Sequence, residues 1–188
     1  ADRMPLVTAR ICGVCPSAHH LAASKALDRA AGVEPPPAAR LIRELLYMGH
    51  FIHSHALSLF VLQGPDLVMG LNADPAVRNV VGVVSAAPEV AKKALRLRTI
   101  GQRINELVGG RGVHPVTSVA GGVTFRMDED RRRVLRGWVD EAAPLGVELA
   151  GIARTLLLKQ IDEHPSLLTG WRQSTWHQGT TQNGVLNL

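Results

Sequence analysis

The chain has 188 residues, of which 46% are hydrophobic and 20% charged, with 18 Gly, 11 Pro, 8 His and only two Cys. That composition supports one sizeable core and excludes intrinsic disorder and a disulfide scaffold. The formal charge of +5 invites a nucleic-acid reading. However, the seven aromatics (Tyr47, Phe51, Phe60, Phe125, Trp138, Trp171 and Trp176) are not interleaved with basic clusters, and Arg131 to Arg133 follow Asp128 to Asp130 as on a solvated helix start, so no nucleic-acid partner is expected. Charged residues punctuate the apolar runs, which predicts no membrane span. The first twenty residues lack a basic start followed by an apolar stretch, so no signal peptide is expected and a reducing, cytoplasmic compartment suits the thiols.

In chain order, Pro5-Leu-Val-Thr-Ala-Arg-Ile11 offers at most one short strand. Pro16 and Ser17 then open a helix whose apolar positions Leu21, Ala22, Leu27, Ala30 and Ala31 recur at helical spacing until Gly32. The Pro35 to Pro37 triplet forces an extended link. A long helix follows over residues 37–62, with Leu41, Leu45, Met48, Ile52 and Leu59 as its apolar stripe and Gln63-Gly64-Pro65 as its stop. Residues 64–88 are irregular, and Val80 to Val84 reads as strand or packed loop. A third helix covers about 88–108 and ends at Gly109-Gly110. Residues 109–123 form a glycine-rich ordered loop in which Gly109, Gly110, Gly121 and Gly122 permit positive φ or close backbone approach, and Arg111 and His114 hydrogen-bond neighbouring structure. A last helix starts near Asp128, is kinked or broken at Pro144 and resumes to about Ile161. The fold class is mainly α, with long packed helices, little strand and an incomplete bundle. Residues 1–170 form the helical part, and 171–188 an irregular tail read as a truncation or frame-change product.

The stretch Arg10-Ile-Cys12-Gly-Val-Cys15-Pro-Ser-Ala-His19-His20 carries the chemistry. Pro16 suits a first helical position, which places Cys15 near the N-cap, where free N–H groups and the helix dipole favour a thiolate. Gly13 lets both sulfurs turn to one ion, and His19, four residues beyond Cys15, lies one helical turn further on the same face. Arg10 adds a positive charge able to lower the thiol pKa or bind an anionic ligand of a metal. A redox disulfide and a zinc site both stay open at this level. The first lacks its usual βαβ setting. The second lacks a fourth ligand unless His50, His53 or His55 supplies it, and these three read as ordinary helix-surface or core-edge residues.

The pattern R-x-C-G-x-C-x-x-x-H resembles the N-terminal cysteine motif of nickel-iron hydrogenase large subunits. The likeness continues through HHLAASKALDRAAGVEPPPAARLIREL, SHALSLFVLQGPDLVMG, RNVVGV with PEVAKKALRLRTIGQRI, and GGRGVHPVTSVAGGV, over roughly residues 5–160. It is nearest to the cytoplasmic NAD-reducing branch. The resemblance implies that Cys12 is a terminal nickel ligand, Cys15 a sulfur bridging nickel and iron, and His19 a partner near the bridging sulfur. It further implies iron with carbon monoxide and cyanide ligands, dihydrogen as substrate split heterolytically with a nearby base taking the proton, electrons leaving through a small subunit that carries iron-sulfur clusters, and diaphorase-type subunits beyond it. The family's other two cysteines come from a C-terminal D-P-C-x-x-C-x-x-H motif. Here no Cys follows Cys15, the R-G-x-E segment does not precede the motif, and Ser58 stands where a His is expected. The chain therefore reads as an N-terminal piece holding half of the coordination shell and inactive by itself. A metal-free structural subunit of the same fold, as in quinone reductases, would be expected to have lost Cys12 and Cys15.

Overall fold

The structure, a computed structural model, describes residues 1–167; the expectation for the 171–188 tail falls outside them. Seven helices carry the described chain: α1 (Met4–Thr8), α2 (Pro16–Ala30), α3 (Pro37–Leu57), α4 (Gly64–Met69), α5 (Val80–Ala86), α6 (Pro88–Gly109) and α7 (Glu129–Glu163). A two-stranded antiparallel ribbon, β1 (Ser118–Val119) and β2 (Gly122–Val123), is the described strand content. This is the mainly α architecture expected from the helical periodicities.

Three local expectations change. The segment before the cysteines is no strand: α1 runs directly into a 3-10 turn, Ala9–Ile11. Val80 to Val84 is helical, because the Asn79 side chain accepts hydrogen bonds from the N–H groups of Val81 and Gly82 at 2.9 and 3.1 Å, a cap that outweighs the β-branched run. Pro144 does not break α7, which continues through it. Pro144 supplies no N–H to the carbonyl four residues earlier, at Asp140, which is an exposed residue. The start of α7 follows the sequence: Asp128 accepts from the Arg131 N–H at 2.8 Å, and Arg132 pairs with Glu129.

The core is the seam of α3 against α6, covered by α7. Leu46, Ile100, Ile104, Val108 and Leu149 are almost wholly buried. Gly49 and Gly101 let the two backbones meet: a Cβ on Gly101 would sit 2.5 Å from the His53 nitrogen, and one on Gly49 2.6 Å from the Ile104 methyl. Two ion pairs from α6, Lys93–Glu148 and Arg96–Glu141, both at 2.5 Å, fix α7 across the seam.

The face of α3 that turns inward only partly follows the predicted stripe: Leu45, Ile52 and Leu59 pack against the core half-buried. Leu41 and Met48 are 66% and 42% exposed, whereas Arg43, Leu46, His50 and His53 are buried. Residues 45–62 contain no Asp, Glu, Lys or Arg, so the helical stretch Pro37–Leu62 is long and apolar enough to cross a membrane, contrary to the expectation from charge punctuation. By packing it is a core helix with two buried imidazoles and a buried guanidinium.

His53 gives a pH-dependent seam. Burial, with the charges of Arg98 and His50 adding to it, lowers its pKa from 6.5 to about 4. The unfolded chain therefore takes up a proton that the folded chain refuses. The contribution of His53 to stability is full above pH 6.5, falls as pH drops from 6.5 towards 4, and changes no further below that. The loss is on the order of 2–3 kcal/mol. Across this range, denaturant unfolding of the complete subunit should show the slope, and His53→Gln should reduce it, the remainder coming from buried His20 and His50, whose pKa values burial also lowers.

Candidate metal centre

The cysteine loop lies between α1 and α2. Pro16 occupies the first turn of α2 and Cys15 its N-cap, as its position predicts. Cys12 is in extended backbone (φ −137°, ψ 132°), so its sulfur folds back towards the helix start. There it accepts the N–H of Cys15 at 3.2 Å and of Val14 at 3.4 Å. Cys12 is therefore the sulfur that the backbone favours as an anion. Its pKa is lowered, first by the hydrogen bond with the Cys15 side chain and then by those two N–H groups. Cys15 moves the other way, raised by that same sulfur–sulfur hydrogen bond, then by burial and the Cys12 charge. The N-cap reading thus chose the right feature and the wrong thiol, since the helix start stabilises charge on Cys12.

Ligand atoms of Cys12, Cys15 and His19 all lie within 4.8 Å of one another, and each residue is half-buried. Both cysteines are free thiols. Two soft sulfurs and an imidazole around one point form a donor set that suits nickel, iron or zinc and not a hard cation. Three donors fall short of a closed tetrahedral site. His50, His53 and His55 do not join this group, and among the described residues it is the one His/Cys/Asp/Glu cluster of this kind. Arg10 donates to the Leu6 carbonyl at 2.8 Å, along its own helix. Arg111 is exposed and His114 half-buried with a left-handed φ of 57°. Neither side chain makes a hydrogen bond among the described residues, contrary to the expectation that they brace the loop.

What braces the glycine loop is a polar face of α2 and one residue of α3. Ser17, His20, Ser24 and Asp28 recur at helical spacing and are all buried, while the predicted apolar positions Ala22 and Ala30 face solvent. The reason is the ribbon: a two-residue strand pair leaves peptide groups unpaired inside the protein, and helix side chains must serve them. His20 accepts the Ser118 N–H at Nε2 (3.0 Å), which fixes Nδ1 as the protonated nitrogen, donating to the Pro5 carbonyl at 3.0 Å. Asp28 accepts the Gly121 N–H at 2.7 Å. Arg43 pairs with Asp28 at 2.5 Å and donates to the carbonyls of Val119 and Gly122 at 2.6 and 3.0 Å. Gly110 and Gly121 have φ of +76° and +77°, as the loop reading requires. His20, Asp28 and Arg43 escaped the sequence reading. The available signal was a run of polar residues at i, i+4 and i+8 on a short helix beside a glycine-rich loop.

Residues 2–108 match the family described as nickel-dependent hydrogenase. An F420-non-reducing hydrogenase subunit of the vhu type from Methanocaldococcus jannaschii is 48% identical over 193 residues, an alignment that covers 100% of this chain and 44% of the relative. The NAD-reducing hydrogenase HoxS subunit beta of Cupriavidus necator is 36% identical over 140 residues, 71% of this chain and 29% of the relative. Among solved structures, an NAD+-reducing [NiFe]-hydrogenase in the H2-reduced state superposes with a TM-score of 0.79 at 35% identity, over 95% of this chain and 38% of that one. The chain thus spans less than half the length of these relatives.

Proposed function

Because the chain belongs to the nickel-dependent hydrogenase family, we propose that its cysteine loop supplies half of the thiolate shell of a nickel-iron centre. The observation that carries this reading is the convergence of Cys12, Cys15 and His19 within 4.8 Å. Cys12 and Cys15 would hold the metals, and His19 would orient the nearer sulfur by hydrogen bonding. When bound, the centre supplies the site at which dihydrogen is split heterolytically. Both thiols would give up their protons to the metals on binding, and the two N–H groups that the Cys12 sulfur accepts favour the thiolate there before a metal arrives. A metal-free structural subunit has no use for two free thiols and an imidazole so arranged.

In the complete enzyme, the remaining ligands come from outside this segment. Electrons pass to a small subunit carrying iron-sulfur clusters and onward, through diaphorase-type subunits in a cytoplasmic assembly, to NAD(P). The acceptor is the finer part of the reading. The NAD-reducing beta subunit of Cupriavidus necator supports a nicotinamide, and the higher identity to an F420-non-reducing subunit argues against F420. Hydrogen-dependent reduction of NAD, NADP, coenzyme F420 and a viologen dye by the complete enzyme separates these. The expected result is turnover with the dye and a nicotinamide and none with F420. Reduction of F420 would overturn the acceptor assignment, and inactivity with the dye despite a full nickel complement would overturn the hydrogenase reading.

A further inference from the structure

The seven-residue stretch that carries both thiols, residues 9–15, is closed at its two ends by side-chain staples. On the inner side, His20 Nδ1 donates to the Pro5 carbonyl at 3.0 Å, fifteen residues back along the chain, and its ring is 0% exposed. On the outer side, the Thr8 hydroxyl lies 3.3 Å from the His19 carbonyl, across eleven residues, and shares its one hydrogen between that carbonyl and those of Met4 (3.0 Å) and Pro5 (3.4 Å) on its own helix. Both contacts join α1, at Pro5 and at Thr8, to the first turns of α2, which restricts the path of the chain between them. His20 then carries the same constraint deeper, because its Nε2 receives the Ser118 N–H and the Ser24 hydroxyl, which donates to the His20 carbonyl at 2.8 Å, also reaches the Ser118 carbonyl at 3.4 Å.

We infer that His20 is a positioning residue for the metal site, its Nδ1–H bond to Pro5 setting the path of the loop that holds Cys12 and Cys15 to the metals. The inference rests on the metal-site reading and deepens it. The two ring nitrogens have separable duties. The Nδ1 bond closes the cysteine loop; the Nε2 bond docks the ribbon. A buried donor or acceptor left without its partner costs stability in either case, so loss of folding alone does not tell the two duties apart. Side-chain amides do. The amide of Asn reaches the position of Nδ1 and can still donate to Pro5. The amide of Gln reaches the position of Nε2 and can still accept from Ser118.

The test uses the complete subunit with its partners and compares His20→Asn, His20→Gln and Thr8→Val. Three quantities are read: nickel per polypeptide after a chelator challenge, the nickel electron paramagnetic resonance signal, and the thermal midpoint. His20→Asn is expected to keep nickel within about twofold of wild type, whereas His20→Gln loses it roughly 10- to 100-fold faster and shows an altered nickel signal, the range that orienting partners of metal ligands produce. Thr8→Val removes only a shared bond whose shortest arm stays within its own helix, so it should keep nickel within about twofold of wild type and serves as the comparison for His20→Gln. The inference is overturned if the Asn and Gln variants lose nickel equally and in proportion to their thermal midpoints, or if His20→Gln keeps both the nickel and its signal. A complete subunit that binds no nickel even as wild type would instead overturn the metal-site reading itself.

Discussion

In the complete subunit, Cys15→Ser and Cys12→Ser each lower nickel retention and hydrogen oxidation by at least ~100-fold while leaving the thermal midpoint within a degree or two. The size follows from the donor. Replacing an orienting partner of a metal ligand costs about 10- to 100-fold, and replacing the ligand removes a bond outright. A serine hydroxyl has the wrong hardness and is not ionised near neutrality, so it does not substitute for the thiolate. The small effect on stability follows from position: both cysteines are half-buried on a loop, and neither belongs to the packed seam of α3, α6 and α7. Cys12→Ser should keep the loop start, because a serine hydroxyl can accept the Val14 and Cys15 N–H groups as the sulfur does, so its loss of nickel reports the missing sulfur donor and not the fold of the loop. Nickel analysis and dye-linked hydrogen uptake on the purified variants check both statements.

Arg43→Met destabilises the complete subunit by about 3–5 kcal/mol at neutral pH, the cost of leaving one member of a buried ion pair alone. The side chains of Arg43 and Asp28 are 6% and 9% exposed, so water does not take over when the guanidinium goes. Three groups lose their donor together: the Asp28 carboxylate and the carbonyls of Val119 and Gly122. An apolar replacement for the whole pair would not be neutral here, because those carbonyls and the Gly121 N–H would still be unserved. Asp28→Asn should cost a similar amount: it keeps an acceptor for Gly121 but leaves the buried Arg43 guanidinium without its counter-charge and turns the amide nitrogen towards an Arg43 donor. The pH dependence has a definite sign. Burial raises the Asp28 pKa, but hydrogen bonds from Arg43 and Gly121 and the Arg43 charge outweigh it, and the folded value lies below the ordinary 3.8. The pair's contribution is therefore complete above about pH 4 and is lost as pH falls through the lower folded value. Denaturant unfolding of wild type and Arg43→Met should diverge most at neutral pH and converge in acid.

The helices were legible because Pro16, Pro37, Pro88, Gly110 and the acidic start of α7 punctuate the chain where helices begin and end. The cysteine motif was legible because spacing alone places His19 one turn beyond Cys15 on the N-terminal turn of α2. What periodicity misjudged was orientation. Apolar residues at helical spacing are assumed to face inward, and Leu21 does, in the core cluster, yet most of the buried face of α2 is Ser17, His20, Ser24 and Asp28, because much of what it packs against is unpaired loop backbone. The same demand draws Arg43 into the interior of α3 and pushes Leu41 out. Val80 to Val84 misled for a different reason: β-branched residues weaken a helix by a few tenths of a kcal/mol each, and a double-accepting Asn79 cap recovers that. Which sulfur bears the charge depends on how Gly13 and Val14 turn, and a spacing of three does not determine that.

The central claim is that these two sulfurs are nickel ligands in the assembled enzyme. Nickel X-ray absorption on the complete subunit, wild type against Cys12→Ser, tests it most directly. A wild-type nickel edge dominated by sulfur scatterers, with one fewer in whatever nickel the variant retains, is the predicted result. A variant that keeps its full nickel complement with an unchanged sulfur shell would contradict the account.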